Sequence, residues 1–492
     1  MSAYLLAIDQ GTTNSRAIIF NQQGQAVSQH ELPLQPSFPN PGWVEQNAND
    51  MFHHSLACCT RAIQQLNISP SAILGIGLSN QRETTIIWDK KTGEPIYPAI
   101  VWQDRRTSEF CKRLSTPRTV IDIQQKTGLI IDPYFSASKI IWLLDHVAGA
   151  RQKAERGELL FGTVDTFLIW KFTQGKSHVT DASNASRTLL FNLHTQTWDQ
   201  DILSQLNIPA SLLPTVLDNA ADFGKTAAHF LGASIPIAGV AGDQQAATIG
   251  QACFQPGMIK ATYGTGGFIL LNTGHEITHS NRLVSTIAYR LKQQVTFGIE
   301  GSIFSAGATI KWLRDTLQLI HSTSELAAMA ASIPNTAGVY LVPAFTGLGA
   351  PYWDPEARGA ILGLTRNSDR KHIVRAGMES VCYQTRDLIE TMTRKHTDAI
   401  KILRVDGGMA VNDWLLQFLA DMLDIEVQRP VCIETSALGA AYLAGLQTGI
   451  YQSLEEIAQL WKVEKSFIPN MKNTIRADYY AGWKNAVHKV LT

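Results

Sequence analysis

Asp9 stands directly before the turn Gly11-Thr12-Thr13-Asn14-Ser15, and Arg16 follows it. An acid, a flexible glycine, small hydroxyls and a cation at one hairpin tip are the parts that a metal-bound polyphosphate requires. "YGTGG" (263–267) supplies a second Gly/Thr turn about 250 residues further on. Neither turn ends in Gly-Lys-Ser/Thr, so neither is a Walker A loop, and neither is a dinucleotide fingerprint. One Gly/Thr turn alone is an ordinary hairpin connection. Two of them, with Asp9 and "DGG" (406–408), point to a nucleotide held between two similar units.

Four further stretches carry polar chemistry. "SNQRETT" (79–85) places Arg82 beside Glu83 in a loop after a strand, and "VWQDRR" (101–106) sets Trp102 before a charged cluster. "DPYFSASKIIWLLDH" (132–146) is a turn into an amphipathic helix with Tyr134 at its mouth, and "GVAGDQQAATIGQ" (239–251) puts Asp243 between a strand and a small-residue helix. Taken singly, each has a plain structural reading: a surface ion pair, a core aromatic, a capped helix, an N-cap.

The elements that must position these residues follow from periodicity and turn chemistry. "YLLAID", "SRAIIFN" and "AVSQHELPL" form a β-meander broken at Gly11 and Gly24. "PSFPNPGW" (36–43) is too rich in proline for a regular element. "NANDMFHHSLACCTRAIQQL" predicts a helix with Asn49 or Asp50 near its N-cap. "AILGIGLSNQRETTIIWD" predicts strand, loop, strand, with Leu74, Ile76 and Leu78 on one face. From residue 235 onward, strand–turn–strand and strand–helix units recur. The stripe Leu415, Leu416, Phe418, Leu419, Met422 and Leu423 reads as the core face of a helix. These patterns predict an α/β chain of two facing domains, 1–250 and 251–492, around a nucleotide cleft.

Composition narrows the function classes. The chain has 492 residues, 45% of them hydrophobic and 17% charged, which excludes a disordered protein. A formal net charge of zero argues against a dedicated nucleic-acid binder. The cysteines at 58, 59, 111, 253, 382 and 432 form neither a CxxC pair nor a disulfide framework. The start "MSAYLLAID" lacks the basic region of a secretory signal, and no apolar run is long enough for a membrane helix. A soluble, cytoplasmic protein is expected.

The first phosphate turn is similar to those of Hsp70-type chaperones, actin and the sugar kinases, which share a duplicated ribonuclease H-like core. The remaining motifs separate these. "DQGTTNSR", "SNQRETT", "VWQDRR", "DPYFSASK", "AGDQQAA", "YGTGGF" and "VDGGMAVN" occur in the order found in the FGGY carbohydrate kinases, and the resemblance spans essentially the whole chain. Within that family it is greatest to the members that act on glycerol. The resemblance implies ATP-dependent phosphorylation of glycerol, with Asp243 as catalytic base. It assigns Arg82, Glu83, Tyr134, Asp243 and Gln244 to the acceptor hydroxyls, and Trp102 with Phe268 to its carbons. Thr12, Thr13, Asn14, Arg16 and Thr265 would line the phosphates. Gly307, Gly408 and Asn412 would flank the nucleoside, with Lys311 nearby. Asp9 and Asp243 would hold Mg²⁺. A homo-oligomer, dimer or tetramer, is also implied.

The resemblance is incomplete at four places: Lys311 stands where several members have Gln, Gly267 where others often have a bulkier residue, and two further departures bear on regulation. "HFLGASIPIAG" (229–239) has no arginine where some bacterial members carry a Gly/Arg-rich loop for fructose 1,6-bisphosphate. The stretch before the terminal "YYAGW" lacks the acids by which some members dock a phosphotransfer regulator through a metal. Neither form of regulation is expected here. The rival classes are a protein-binding ATPase of the Hsp70/actin type, a non-catalytic sugar sensor, and a kinase for a larger polyol.

Overall fold

The computed structural model describes residues 3–280, 282–354, 356–393 and 400–492. Among them, two mixed sheets carry the architecture. The first has five strands: β1 (Tyr4–Gln10), β2 (Asn14–Asn21), β3 (Ala26–Pro33), β4 (Ile73–Asn80) and β5 (Ile237–Gly242). Their spatial order is β3-β2-β1-β4-β5, antiparallel as far as β1 and parallel from β1 to β5. The second contains β6 (Ile259–Tyr263), β7 (Gly267–Gly274), β8 (Val284–Leu291), β9 (Gln294–Ile303), β10 (Ile402–Asp406), β11 (Glu426–Pro430) and β12 (Val463–Phe467). Its inner order, β9-β7-β6-β10-β11, repeats the first sheet's order and strand directions. β8 and β12 extend its two edges. The two Gly/Thr turns are thus the same hairpin in two copies of one sheet.

Three details differ from the sequence reading. The N-cap of α1 (Ala48–Leu66) is Asn47, whose side chain accepts the Asn49 N–H, not Asn49 or Asp50. The cap must lie outside the first turn with extended backbone, and Asn47 has that conformation. Leu74 does not share the buried face of Ile76 and Leu78. The β1/β4 register passes from Tyr4↔Ile73 to Leu5↔Gly75, so Leu74 is the extra residue of a bulge and points outward, 40% exposed. Leu423, at the end of its predicted stripe, is half-buried, while the other five positions are core.

The halves meet through two short helices, α2 (Asp243–Gly250) and α3 (Thr435–Thr448). The second lies on β1, β4 and β5 of the first sheet, although it comes late in the chain. Glycines permit this approach. A Cβ on Gly439 would overlap the Ala246 carbonyl, one on Gly250 the Thr435 carbonyl, and one on Gly77 the Ala440 carbonyl. Leu5, Ala7, Ile18, Ala241, Leu438, Ala441 and Leu443 fill the space between. Gly439→Val drives a side chain against the backbone of Ala246 and Gly250, with no flexible side chain there to yield. Overpacking of this kind costs about 1–3 kcal/mol or more, and thermal denaturation is expected to show a clear loss of Tm.

Residues 81–236, between β4 and β5, form an α+β insertion with its own core around Ile100, Leu129, Phe135, Phe161 and Leu190. It delivers Trp102, Tyr134 and Arg187 to the end of the first sheet. Among the described residues no helix is long and apolar enough to cross a membrane.

Candidate active site

Three neighbouring strands of the first sheet end at one edge, and each hands over to polar chemistry. β1 ends at Asp9-Gln10, β4 runs into Gln81-Arg82-Glu83, and β5 leads into Asp243, the first residue of α2. Register sets Asp9 beside Ser79 on one side and Arg16 on the other. The carboxyl ends of parallel strands are where open α/β sheets bind ligands.

Arg82 is the hub of this edge. Its backbone is left-handed, with φ 62°, a conformation that a non-glycine residue adopts only under constraint. The missing Cβ of Gly242 leaves room for its stem. Its Nη2 donates to the Tyr134 hydroxyl at 2.9 Å and its Nε lies 3.1 Å from Asp243 Oδ1. Its Nη1 donates to Glu300 Oε2, from β9. Glu83 is equally buried and accepts from Arg187 Nε at 2.7 Å.

Asp243 also accepts its neighbour Gln244's backbone N–H at 2.7 Å, and its side chain is 30% exposed to the cleft. Burial pushes its carboxyl above the ordinary aspartate value, with Arg82 opposing. Gln244 is oriented by Lys260, whose ammonium donates to Gln244 Oε1. That bond leaves the Gln244 amide to act as a donor. Burial holds Lys260 below the usual lysine value.

An aromatic wall closes one side. Trp102 meets Tyr134 edge-to-face at 5.6 Å and Phe268 at 6.0 Å between ring centroids. Trp102 Nε1 also donates to Thr12 Oγ1 at 2.9 Å, linking the wall to the first Gly/Thr turn. "WQDRR" acts behind it: Arg105 grips Asp132 at 2.7 Å, while Arg106 pairs with Asp104 and Glu45 under Trp43.

One cleft of about 170 Å³ brings together Asp9, Thr12, Thr13, Asn14, Arg82, Glu83, Trp102, Tyr134, Asp243, Gln244, Thr265 and Phe268. Gln81, Thr262 and Ser436 also line it and were not singled out from sequence. Arg16 does not line it. Its guanidinium is spent on Glu434 and on Glu31, the latter at 3.1 Å, because its cross-strand position turns it toward those carboxylates. Arg16 therefore stands behind the phosphate turn as a counter-charge to Asp9.

A second cavity, about 450 Å³, is lined by Gly307, Lys311, Gly408 and Asn412 together with Ile310, Arg314, Met409 and Leu415. Gly307 opens α4 (Gly307–Asp315), and Asn412 caps α5 (Asp413–Leu423) by accepting the Leu415 N–H. The N–H groups of Ala306, Gly307 and Ala308 donate to the carbonyls of Gly264 and Thr265, at 3.0–3.1 Å. The second Gly/Thr turn is thereby fixed to the wall of this cavity.

The acids at the cleft fit a divalent cation. Asp9 is pushed up to about 6 by burial, with Arg16 opposing and the charges of Glu434 and Asp243 adding to the rise. Two carboxylates that oppose each other's ionisation across a cleft gain from a cation between them. Among the described residues no cluster of three or more His, Cys, Asp or Glu could hold a metal unaided. That suits Mg²⁺, which takes one or two carboxylates and completes its shell with phosphate oxygens and water.

Sequence reasoning missed Glu300, Arg187 and Lys260, all buried in the site. The one local signal was the lone acid in "VTFGIEGSI" and the lone lysine in "MIKATY", since a buried charge must have a partner.

Comparison with known proteins agrees with this geometry. The profile of the FGGY family of carbohydrate kinases matches at residues 4–250 for its N-terminal domain and 259–448 for its C-terminal domain. The chain is 56% identical over 494 residues to a glycerol kinase of Coxiella burnetii (strain Dugway 5J108-111), covering 100% of this chain and 98% of that one. It is 55% identical over 491 residues to glycerol kinase 1 of Pseudomonas aeruginosa, covering 100% and 99%. The solved structure of Plasmodium falciparum glycerol kinase with ADP superposes with a TM-score of 0.91 at 36% identity, over 100% and 99% of the two chains. A xylulose kinase from Lactobacillus acidophilus shares the fold, with a TM-score of 0.87 at 23% identity over 99% and 98%. With both halves matched, and with relatives above half identity along its whole length, the chain belongs to the FGGY family of carbohydrate kinases.

Proposed function

We propose that the protein transfers the γ-phosphoryl group of ATP to a terminal hydroxyl of glycerol, giving sn-glycerol 3-phosphate and ADP. The observation that carries this reading is the small cleft in which Asp243, Arg82, Glu83, Tyr134 and Gln244 converge opposite Trp102 and Phe268. Every polar group there can pair with a hydroxyl, and the ring faces can cover three carbons.

Asp243 takes the hydroxyl proton as the oxygen–phosphorus bond forms and the bond to the departing ADP oxygen breaks. Arg82 and Glu83 orient the acceptor, and Gln244 donates to it. Thr12, Thr13, Asn14 and Thr265 present hydroxyl, amide and backbone donors to the phosphates. Gly307, Lys311, Gly408 and Asn412 border the nucleoside. Asp9 and Asp243 would hold Mg²⁺, which supplies charge neutralisation at the phosphates when bound. The equivalent sheets, 1–250 and 251–492, are read as two domains that close on the nucleotide and exclude water. We assign the protein to the cytoplasm and to a homo-oligomer, which light scattering of the purified protein would read.

ADP release measured with glycerol, dihydroxyacetone, xylulose and gluconate tests the proposal. Glycerol is expected to give the highest kcat/KM. Preference for xylulose or gluconate, or release that ignores the acceptor, would overturn it. The nucleoside cavity has its own test. The Gly408 Cβ position faces open space, so Gly408→Leu fills the cavity without disturbing the turn. Overpacking of about 1–3 kcal/mol corresponds to about a five- to 150-fold rise in the KM for ATP, with the KM for glycerol unchanged.

A further inference from the structure

Glu300 lies in the middle of β9, wholly buried, between Ile299 and Gly301. Its two oxygens are used separately. Oε2 accepts from Arg82 Nη1, and Oε1 accepts from Arg187 Nη2 at 3.0 Å. Arg82 spends its remaining nitrogens on Tyr134 and Asp243, and Arg187 spends its Nε on Glu83. One carboxylate therefore sits at the centre of the series Asp243–Arg82–Glu300–Arg187–Glu83, which ends in a cleft acid on each side.

The source of the carboxylate matters. Arg82, Glu83, Arg187 and Asp243 all come from the first half of the chain, while Glu300 comes from the second sheet. The second sheet is fixed there by apolar packing: Ile287 and Phe297 meet Ala182, Ala185 and Phe191 of the segment that carries Arg187. Glu300 is thus an anchor on a rigid strand, set behind an arginine on a strained loop. A charge buried this deeply destabilises the fold unless it is paired, and a packed apolar residue would serve stability as well.

We propose that Glu300 is a positioning residue for the acceptor: it holds Nη1 of Arg82 on the second sheet, so that Arg82 meets Asp243 through its Nε while the fork is kept off the oxygens of Asp243 and Glu83 that face glycerol. The proposal rests on the reading of the cleft as the glycerol site. Without the Glu300 charge, the freed Nη1 of Arg82 turns toward Asp243 and Glu83 and occupies the places of the acceptor hydroxyls.

The test is steady-state kinetics of Glu300→Gln and Glu300→Asp, alone and with Arg82→Ala. Glu300→Gln is expected to raise the glycerol KM at least about tenfold, the scale of one charge-assisted hydrogen bond. Its kcat falls less, and its ATP KM stays within error. Glu300→Asp keeps the charge and recovers part of the loss. On the Arg82→Ala background Glu300→Gln adds no further loss in kcat/KM for glycerol, because it acts through Arg82. An unchanged glycerol KM in a folded variant would overturn the proposal, as would full additivity with Arg82→Ala. Failure of both Glu300 variants to fold, judged by near-ultraviolet circular dichroism, would make Glu300 a stability residue and overturn it too. Wild-type protein inactive on glycerol would overturn the functional reading instead.

Discussion

Asp243→Asn is expected to lower kcat by about a hundred- to ten-thousandfold, the range a positioned general base contributes, while leaving the fold and glycerol binding largely intact. The amide is the same shape. Its oxygen can still accept from the Gln244 N–H, the hydrogen bond that fixes the side chain now, and still faces Arg82 Nε at 3.1 Å. What it loses is the capacity to take a proton. The carboxyl at this position is raised by burial, with Arg82 opposing, which makes it a stronger base than an exposed aspartate. Stopped assays over hours, with thermal denaturation as the folding control, measure the effect. Near-normal turnover would remove Asp243 from the base role. Turnover restored by high magnesium would assign Asp243 to holding the cation rather than to moving the proton.

The parts of this site that were legible in the sequence are those set by local rules. A Gly/Thr turn between two short apolar runs specifies a hairpin through backbone freedom and strand period. The order of such units along the chain exposed the duplication. Asp9, Asp243 and the "QRET" loop could be placed because strand ends are visible as changes of period. Leu74 shows where that logic stops, since a bulge adds one residue and reverses every later side chain, and no local pattern marks it. Arg16 shows a second limit. Its distance from the phosphate turn was legible, but its engagement with Glu434, 418 residues away, was not. Glu300 is the same case: its partners Arg82 and Arg187 are 218 and 113 residues distant. Charge pairs of this range exist only once two sheets are docked, so sequence reports the lone charge and not its partner.

Arg82→Ala is expected to raise the glycerol KM about ten- to hundredfold, the scale of a lost hydrogen bond to a charged group, and to leave the ATP KM within about threefold. Arg82 meets Tyr134, Asp243 and, at 3.8 Å, Glu83 at the cleft, and Glu300 behind it. Among the described residues its side chain makes no hydrogen bond or ion pair to either phosphate turn. Truncation leaves Glu300 with Arg187 alone and strips Asp243 of its nearest cation. Burial already works to raise Glu300, and Arg187 and Arg82 together outweigh it to keep the carboxyl below its ordinary value. Breaking such a buried pair costs about 3–5 kcal/mol of stability, so a lower Tm accompanies the kinetic defect and kinetics must be read well below it. Arg82→Lys separates charge from geometry. An ammonium replaces the cation but cannot reach Glu300, Tyr134 and Asp243 at once, so it restores stability better than it restores glycerol affinity. A selective loss of ATP affinity in Arg82→Ala would place the acceptor pocket elsewhere. Equal rises in both KM values would make Arg82 a brace for the whole cleft instead of a contact for the acceptor.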